Sequence, residues 1–476
     1  MGLRLSAFCL LVSGPLTAST AESAVLVEAL TSNGAAIEAG LRVGDTIERC
    51  TSGTRVGASA ELATPISLIR CEESAAGETA VLWVERDGET LRIDIGPGAW
   101  GIEARPRLDS EATAELARLG RAVRDDDATA TEAVLVSLRG SLEASPERLV
   151  WLDLHHASLL EESGDIEAAE RALERAARDA RASSDPDLVL AAVDARLAGC
   201  DARGAPPAEC AEIAEKAAEA AAELGEESLV YAARLHALAL RRRVTGDWDE
   251  AVRHFEHALE IRRRHPPDLR MADTLGELSY QAYRRNEPEL ADELFAEAIA
   301  IARRIDPRDL RTGRILQRRG FAVMSRGDVE EARRIWTEAR DIFEELGESQ
   351  QVGVVLANLS VLEHRAGDVQ RAYELLRRAL ELIEPGSHRE ALIRANLSTL
   401  SIERGRLAEA QELIREAHET LLRLGVSDLA ESYSMLGHAA RARGDLAAAE
   451  EAYLAALEQA RKLGMPRGIA GQLHNL

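Results

Sequence analysis

The chain has 476 residues, with 82 acidic against 58 basic side chains and a formal net charge of −24. That balance argues against a nucleic-acid partner, which needs clustered Lys and Arg to displace counterions, and against an anionic membrane surface. An aromatic content of 3% beside abundant Ala, Leu, Glu and Arg is the composition of packed helix pairs.

In residues 1–21, Arg4 precedes an apolar run from Leu5 to Leu16, small residues and a Ser19-Thr20-Ala21 site. This is the layout of a secretory signal peptide, and the run is too short to span a bilayer, so no membrane span is expected in the mature chain. The alternative is a first strand of the module that follows. Export predicts a periplasmic or secreted protein; a leader that stays attached predicts a cytoplasmic one. Without Cys9 the cysteines form two near pairs, Cys50 with Cys71 and Cys200 with Cys210. Local pairs suit an oxidising compartment and are candidate disulfides, with ordinary buried thiols as the alternative.

Residues 22–106 change texture to short β-type runs and turns. Ala24–Leu30 is a strand candidate, Ala35–Ala39 a short helix, and a second strand starts near Ile47. A helical stretch spans Ile66–Arg70, and Val81–Ile93 reads as a hairpin around Asp87-Gly88. The phrase Ala39-Gly40-Leu41-Arg42-Val43-Gly44-Asp45 in this setting resembles bacterial PDZ domains. The resemblance implies a small α+β domain. It also implies peptide capture through a Gly-containing loop before the first strand, which residues 10–24 do not supply. Trp100-Gly101-Ile102 is the one similar phrase, usable in a permuted arrangement or, alternatively, a packing contact toward the helices that follow.

Residues 107–144 read as a helical lead-in, with Ser110 and the run Asp125-Asp126-Asp127 as candidate caps. From 145 to 476 a Gly-Asp-x-x-x-Ala phrase or close variant recurs. It opens at Gly164, Gly246, Asn286, Gly327, Gly367, Gly405 and Gly444, and the last six openings are 40, 41, 40, 38 and 39 residues apart. A small residue always lies seven positions earlier (Ala157, Ala239, Ser279, Gly320, Ser360, Ser398, Gly437) and an Ala five later. Two small positions around a turn let antiparallel helices approach closely, with Gly fitting a left-handed C-cap and Asp capping the next helix. Leu238, Leu278, Leu359, Leu397 and Leu436 supply the buried stripe. The unit between Gly164 and Gly246 carries Gly204-Ala205-Pro206-Pro207 where a Gly-Asp turn is expected, a modified repeat.

This register resembles the tetratricopeptide repeat in a long variant like that of kinesin light chains. The fold class expected is therefore mainly α: a tetratricopeptide α-solenoid superhelix preceded by a small α+β PDZ-like domain. The ending Asn475-Leu476 falls one residue before another small position, so the register expects the array to continue past Leu476.

No catalytic constellation accompanies these elements. His155-His156 and His254-x-x-His257 lack further ligands at zinc-like spacing, and no Gly-rich phosphate loop, nucleophile elbow or metalloprotease motif occurs. Neither enzyme activity nor a cofactor is expected. The resemblance implies a groove lined by the first helix of each pair, in which an Asn before the conserved Leu bonds the backbone of an extended peptide. Asn358 and Asn396 match that position, Arg318 is its equivalent one repeat earlier, and Arg314 and Arg365 take neighbouring positions. An amide offers both a donor and an acceptor to a backbone, and Arg adds a fork for a carboxylate. Tying one helix to the next repeat is the competing role for the Asn pair. The expected function is a scaffold for protein or peptide ligands. The order of segments also resembles the front part of bacterial CHAT-type, caspase-like protease proteins, in which the array would regulate a protease domain lying beyond residue 476.

Overall fold

A computed structural model describes residues 24–31, 34–52, 60–61, 64–74, 79–96, 101–142, 145–203, 205–285, 287–424, 429–462 and 466–476. The leader-like segment 1–21, Trp100 and the turn residue Asn286 lie outside them. The chain divides into two compact units, Met1–Thr274 and Leu275–Leu476.

The first unit begins with β1 (Val25–Leu30), α1 (Ala35–Glu38), β2 (Thr46–Ser52), β3 (Ala60–Glu61), α2 (Pro65–Ser74), β4 (Ala80–Arg86), β5 (Glu89–Ile95) and β6 (Ile102–Pro106). The strands form one antiparallel sheet in the order β5-β4-β2-β1-β6, with β3 paired to β2. Val25, Val27, Ile47, Leu82, Val84 and Ile95 bury its inner face with Ala36, Leu41 and Leu68. The β4–β5 hairpin turns through Asp87 at φ 54° and Gly88 at φ 84°, the left-handed pair that an Asp-Gly turn requires.

The Gly44-Asp45 phrase has a physical reason. Asp45 is 2% exposed and accepts from the Arg42 amide at 2.8 Å and from Arg86 through both oxygens, at 2.7 and 2.6 Å. A bidentate guanidinium thus compensates a buried carboxylate and ties the turn before β2 to the end of β4. On the far side, α2 sends Leu68 and Cys71 into the sheet core, while Ile66 joins the helical core with Leu119, Trp151 and Leu152. Thr64, fully buried, donates to Glu147 at 2.5 Å and accepts from the Ile66 amide.

The rest of this unit is helical: α3 (Ser110–Arg124), α4 (Ala128–Leu142), α5 (Pro146–Ser163), α6 (Ile166–Ser183), α7 (Pro186–Ala202), α8 (Pro207–Leu224), α9 (Leu229–Thr245) and α10 (Trp248–Arg262). Helix α11 (Leu269–Arg284) crosses the division between the units. The cap of α3 is Asp109, which accepts from the Ala112 amide at 2.7 Å; Ser110 is already helical. Both residue types suit an N-cap, and the extended backbone at Asp109 (φ −66°, ψ 175°) gives it the position. Of the acidic run, Asp127 caps α4 through the Ala130 amide. The degenerate repeat is the pair α7 and α8, and α8 starts with Pro207 in its first turn, where a missing N–H costs nothing.

The second unit holds the remainder of α11, then α12 (Pro288–Ile305), α13 (Leu310–Ser325), α14 (Val329–Glu345), α15 (Ser349–Arg365), α16 (Val369–Leu382), α17 (His388–Glu403), α18 (Leu407–Arg423), α19 (Ala430–Ala442), α20 (Leu446–Lys462) and α21 (Pro466–Asn475). Consecutive helices pair across the recurrent turn. Its glycines take φ between 74° and 92° at Gly164, Gly246, Gly327, Gly367, Gly405 and Gly444. Asp165, Asp328, Asp368 and Asp445 accept from the amide three residues on, whereas Asp247 makes no such cap and instead accepts from the Thr245 hydroxyl. The second small position is buried in every repeat: Ala169, Ala251, Ala291, Ala332, Ala372, Ala410 and Ala449.

Why the first small position is small emerges from its partner. Sixteen residues after each stands a large buried side chain: Leu173, Phe255, Phe295, Trp336, Leu376, Ile414 and Tyr453. Where that partner is Trp or Tyr, the small residue is Gly. A Cβ on Gly320 would lie 2.2 Å from Trp336 Nε1, and one on Gly437 would lie 2.5 Å from Tyr453 Cε1. Trp336 is fully buried and satisfies its indole N–H on the Gln317 carbonyl at 3.0 Å. Gly320→Ala should therefore destabilise by about 1–3 kcal/mol through overpacking, despite the better helix propensity of Ala. Gly140→Ala in α4, where nothing lies within 4 Å of the added carbon, should instead be neutral or stabilising by up to about 1 kcal/mol. Urea midpoints of the two variants test the contrast.

Candidate functional site

Each first helix has two sides. One carries the Leu and small positions and packs on its second helix. Helical periodicity places residues at i, i+4 and i+7 on the other side. In the second unit that side reads Glu277 and Tyr280 on α11, then Arg314, Arg318 and Phe321 on α13. It continues with Val354, Asn358 and Val361 on α15, and Leu392, Asn396 and Thr399 on α17.

Contacts between residues about one repeat apart show that these sides are neighbours. Arg318 pairs with Glu277, both at the position nine residues before their turn. His364 Nε2 meets Glu403 Oε1 at 2.9 Å, joining α15 to α17, and α17 also touches α19. The first unit repeats the arrangement: Arg234 grips Asp194, and His236 Nδ1 lies 3.0 Å from Thr274 Oγ1.

All five groove residues expected from sequence fall on this side, in one unit, but their environments differ. Arg314 is half-buried and has no ion-pair partner among the described residues. Arg365, in the last turn of α15, is exposed, as is Asn396 on α17. Asn358 is half-buried, and its Nδ2 is shut from solvent without a hydrogen-bond partner. Arg318 is committed to Glu277, a carboxylate only 1% exposed. Burying Glu277 uncompensated would cost several kcal/mol, so this guanidinium holds the repeats together.

Four bulky side chains on the same face are absent from the residues that the sequence pattern singles out. They are Tyr280 and Tyr283 on α11 and Phe321 and Met324 on α13, all half-buried. The available signal is their spacing: each pair sits six and three residues before its turn, on the side opposite the Leu stripe.

The histidine pairs have structural surroundings. His155 stacks on Trp151 with ring centroids 5.2 Å apart, and burial pushes its pKa down to about 4 with Arg105 adding to the effect. Burial and the adjacent Arg175 likewise push His156 down to about 4, and Arg175 Nη2 lies 3.1 Å from its Nδ1. Beside it Asp153, fully buried, is held by Arg139 at 2.6 Å and Arg175 at 3.3 Å; burial raises its pKa against the pull of both. His257 meets Tyr231 edge-on. Among the described residues no group of three or more His, Cys, Asp or Glu could hold a metal, and no helix is long and apolar enough to cross a membrane.

Arg318→Met should lower stability by roughly 1–3 kcal/mol, because Glu277 keeps its burial and loses its counter-charge. The urea midpoint checks this; an unchanged midpoint would return Arg318 to the set of residues available to a ligand.

The comparisons with known proteins agree with this architecture. Residues 241–304, 311–384 and 430–463 match tetratricopeptide-repeat families. No curated protein matches the chain. Among solved structures, a Signal Transduction ATPase with Numerous Domains from Pyrococcus horikoshii, a protein with a tetratricopeptide repeat sensor, is 13% identical with a TM-score of 0.50. That match covers 76% of this chain and 59% of that one. The apo quorum sensor NprR from B. thuringiensis is 14% identical over 73% of this chain and 98% of its own, with a TM-score of 0.49. BtubC from P. vanneervenii is 20% identical over 49% of this chain and 90% of its own, with a TM-score of 0.38. The helix pairs within residues 241–304, 311–384 and 430–463 are tetratricopeptide repeats, set in a tetratricopeptide-like solenoid that a small β-sheet region precedes.

Proposed function

We propose that the protein is an interaction scaffold that holds an extended peptide along the free side of its first helices, with Asn358 and Asn396 bonding the peptide backbone. One observation carries this reading: the Asn358 amide is a donor without an acceptor, on the face where the next repeat presents Asn396 at the same register. An unmade hydrogen bond at a shielded amide costs about 1–3 kcal/mol, which a peptide carbonyl would recover after rotation about χ2. Arg318 has no part in this reading, since Glu277 occupies it. Asn358→Ala combined with Asn396→Ala should weaken peptide binding by about tenfold or more and leave the unfolding free energy, measured in urea, within about 0.5 kcal/mol of the native value. Unchanged affinity would make the two residues inter-repeat ties only.

The N-terminal module extends the reading. Among the described strands its edge strand β6 pairs with β1 alone, and Gly101 just before its start accepts from the Thr31 amide at 2.9 Å. We read this as a permuted PDZ-like unit whose helix α2 is anchored to the helical core through Ile66. We further propose an oxidising compartment. Cys50 and Cys71 have Cα atoms 6.3 Å apart and Cys200 and Cys210 5.8 Å, both within the span of a disulfide. Intact mass after alkylation, with and without prior reduction, should differ at all four residues; alkylation of all four without reduction would remove the compartment argument. The order of β module and long repeats also supports a second reading, the sensing half of a caspase-like protease; a Cys-His protease domain encoded in the same gene would support it, and a gene without one would remove it.

A further inference from the structure

The free side of the first helices in the second unit is chemically lopsided. At its α11–α13 end it presents Tyr280, Tyr283, Phe321 and Met324, half-buried at matching register positions on two helices that the Arg318–Glu277 pair joins. The Tyr280 and Tyr283 rings lie 6.0 Å apart, and Phe321 is held edge-on by the buried Trp336 at 5.3 Å. Phe321 is backed by a buried ring, so covering it costs little side-chain freedom, which makes a rigid aromatic an effective anchor.

Charge on this face runs against that of the molecule. The chain carries −24 overall. On the face, Glu277 is neutralised by Arg318, and Glu403 is engaged by His364. Arg314 and Arg365 remain without an acidic partner among the described residues, one beside the aromatic end and one a repeat further on. The acidic protein as a whole repels most acidic surfaces, yet its cationic, partly apolar strip attracts a carboxylate that reaches it, and such complementarity governs which partner docks and how fast.

We propose that this face selects a polypeptide segment in which bulky apolar side chains alternate with carboxylates. The apolar groups cover Tyr280, Tyr283, Phe321 and Met324, and the carboxylates lie against Arg314 and Arg365. The proposal rests on the peptide-binding reading and specifies its ligand. An extended strand suits it: alternate side chains point to opposite sides, so an alternating sequence presents one chemistry to the aromatic floor and the other to the basic edges.

Fluorescence anisotropy with the full chain tests this using three fluorescein-labelled nonapeptides. One alternates Phe or Leu with Glu, the second replaces every Glu by Lys, and the third keeps Glu but replaces each apolar residue by Ala. The first should bind at least about tenfold more tightly than either of the others, and its affinity should weaken as salt rises. Arg314→Glu should abolish the preference for Glu over Lys, and Tyr283→Ser, on a half-buried side chain, should weaken the first peptide about fivefold or more. Phe321→Ser repeats the aromatic test on α13, with its urea midpoint checked because Phe321 leans on Trp336. Equal affinity for the Glu and Lys peptides would overturn the proposed selectivity. If that binding were still lost in the Asn358→Ala, Asn396→Ala variant, the peptide-binding reading would survive. Absence of binding by all three peptides would overturn both.

Discussion

The structure depends on how closely two antiparallel helices approach across each Gly-Asp turn. A residue without bulk on the first helix leaves a hollow, and a large side chain sixteen positions later fills it. Where the filler is an indole or a phenol, even a methyl group would collide, so Gly320 faces Trp336 and Gly437 faces Tyr453. Smaller fillers tolerate Ala or Ser: Ala157 matches Leu173, and Ser398 matches Ile414, with the Ser398 hydroxyl satisfied by the Ala410 carbonyl at 2.9 Å. Phe255 and Phe295 face Ala239 and Ser279, so the strict match of a bare glycine to its filler belongs to the Trp336 and Tyr453 repeats. Close packing makes such matching steep in energy and fixes the rotation of each first helix about its axis.

That fixed rotation has a functional consequence. With the Leu and small positions turned toward the second helix, the opposite side of the first helices in the second unit is left out of that pairing, and the repeat places equivalent residues of neighbouring pairs beside one another. Polar side chains there have two uses. Some join repeat to repeat, as Arg318 does with Glu277 and His364 with Glu403. Others, Arg314, Asn358, Arg365 and Asn396 among them, keep bonding capacity that the fold does not use. The aromatic and thioether groups at the α11–α13 end offer apolar contact beside that capacity.

Much of this is legible in the sequence because the information is local. The recurrent turn, its left-handed glycines and its aspartate caps involve residues within a few positions of one another. The hairpin at Asp87-Gly88 and the strand beginning near Ile47 are of the same kind. What the sequence hides joins distant residues. Arg318 reads as an available cation until Glu277, 41 residues earlier, is seen beneath it. Ile66 sits on a helix of the β module but belongs to the helical core, and Asp45 needs Arg86 to explain its burial. The cap of α3 lies one residue from its expected place because Asp109 and Ser110 both suit it, and only backbone angles separate them. The pairing of small and large positions lies in plain view at a constant spacing of sixteen, yet no short-range rule connects the two.

A double-mutant cycle across one helix pair tests the account most directly. Stability would be measured for the native chain, Gly320→Ala, Trp336→Leu and the double variant. If the hollow and its filler determine helix approach, Gly320→Ala is costly beside the native indole. In the double variant, where a shorter leucine side chain replaces that indole, it is close to free, a coupling of about 1–3 kcal/mol. An equal cost in both backgrounds would mean that Gly320 is required for some other reason, and that the free side of the first helices is set by another constraint.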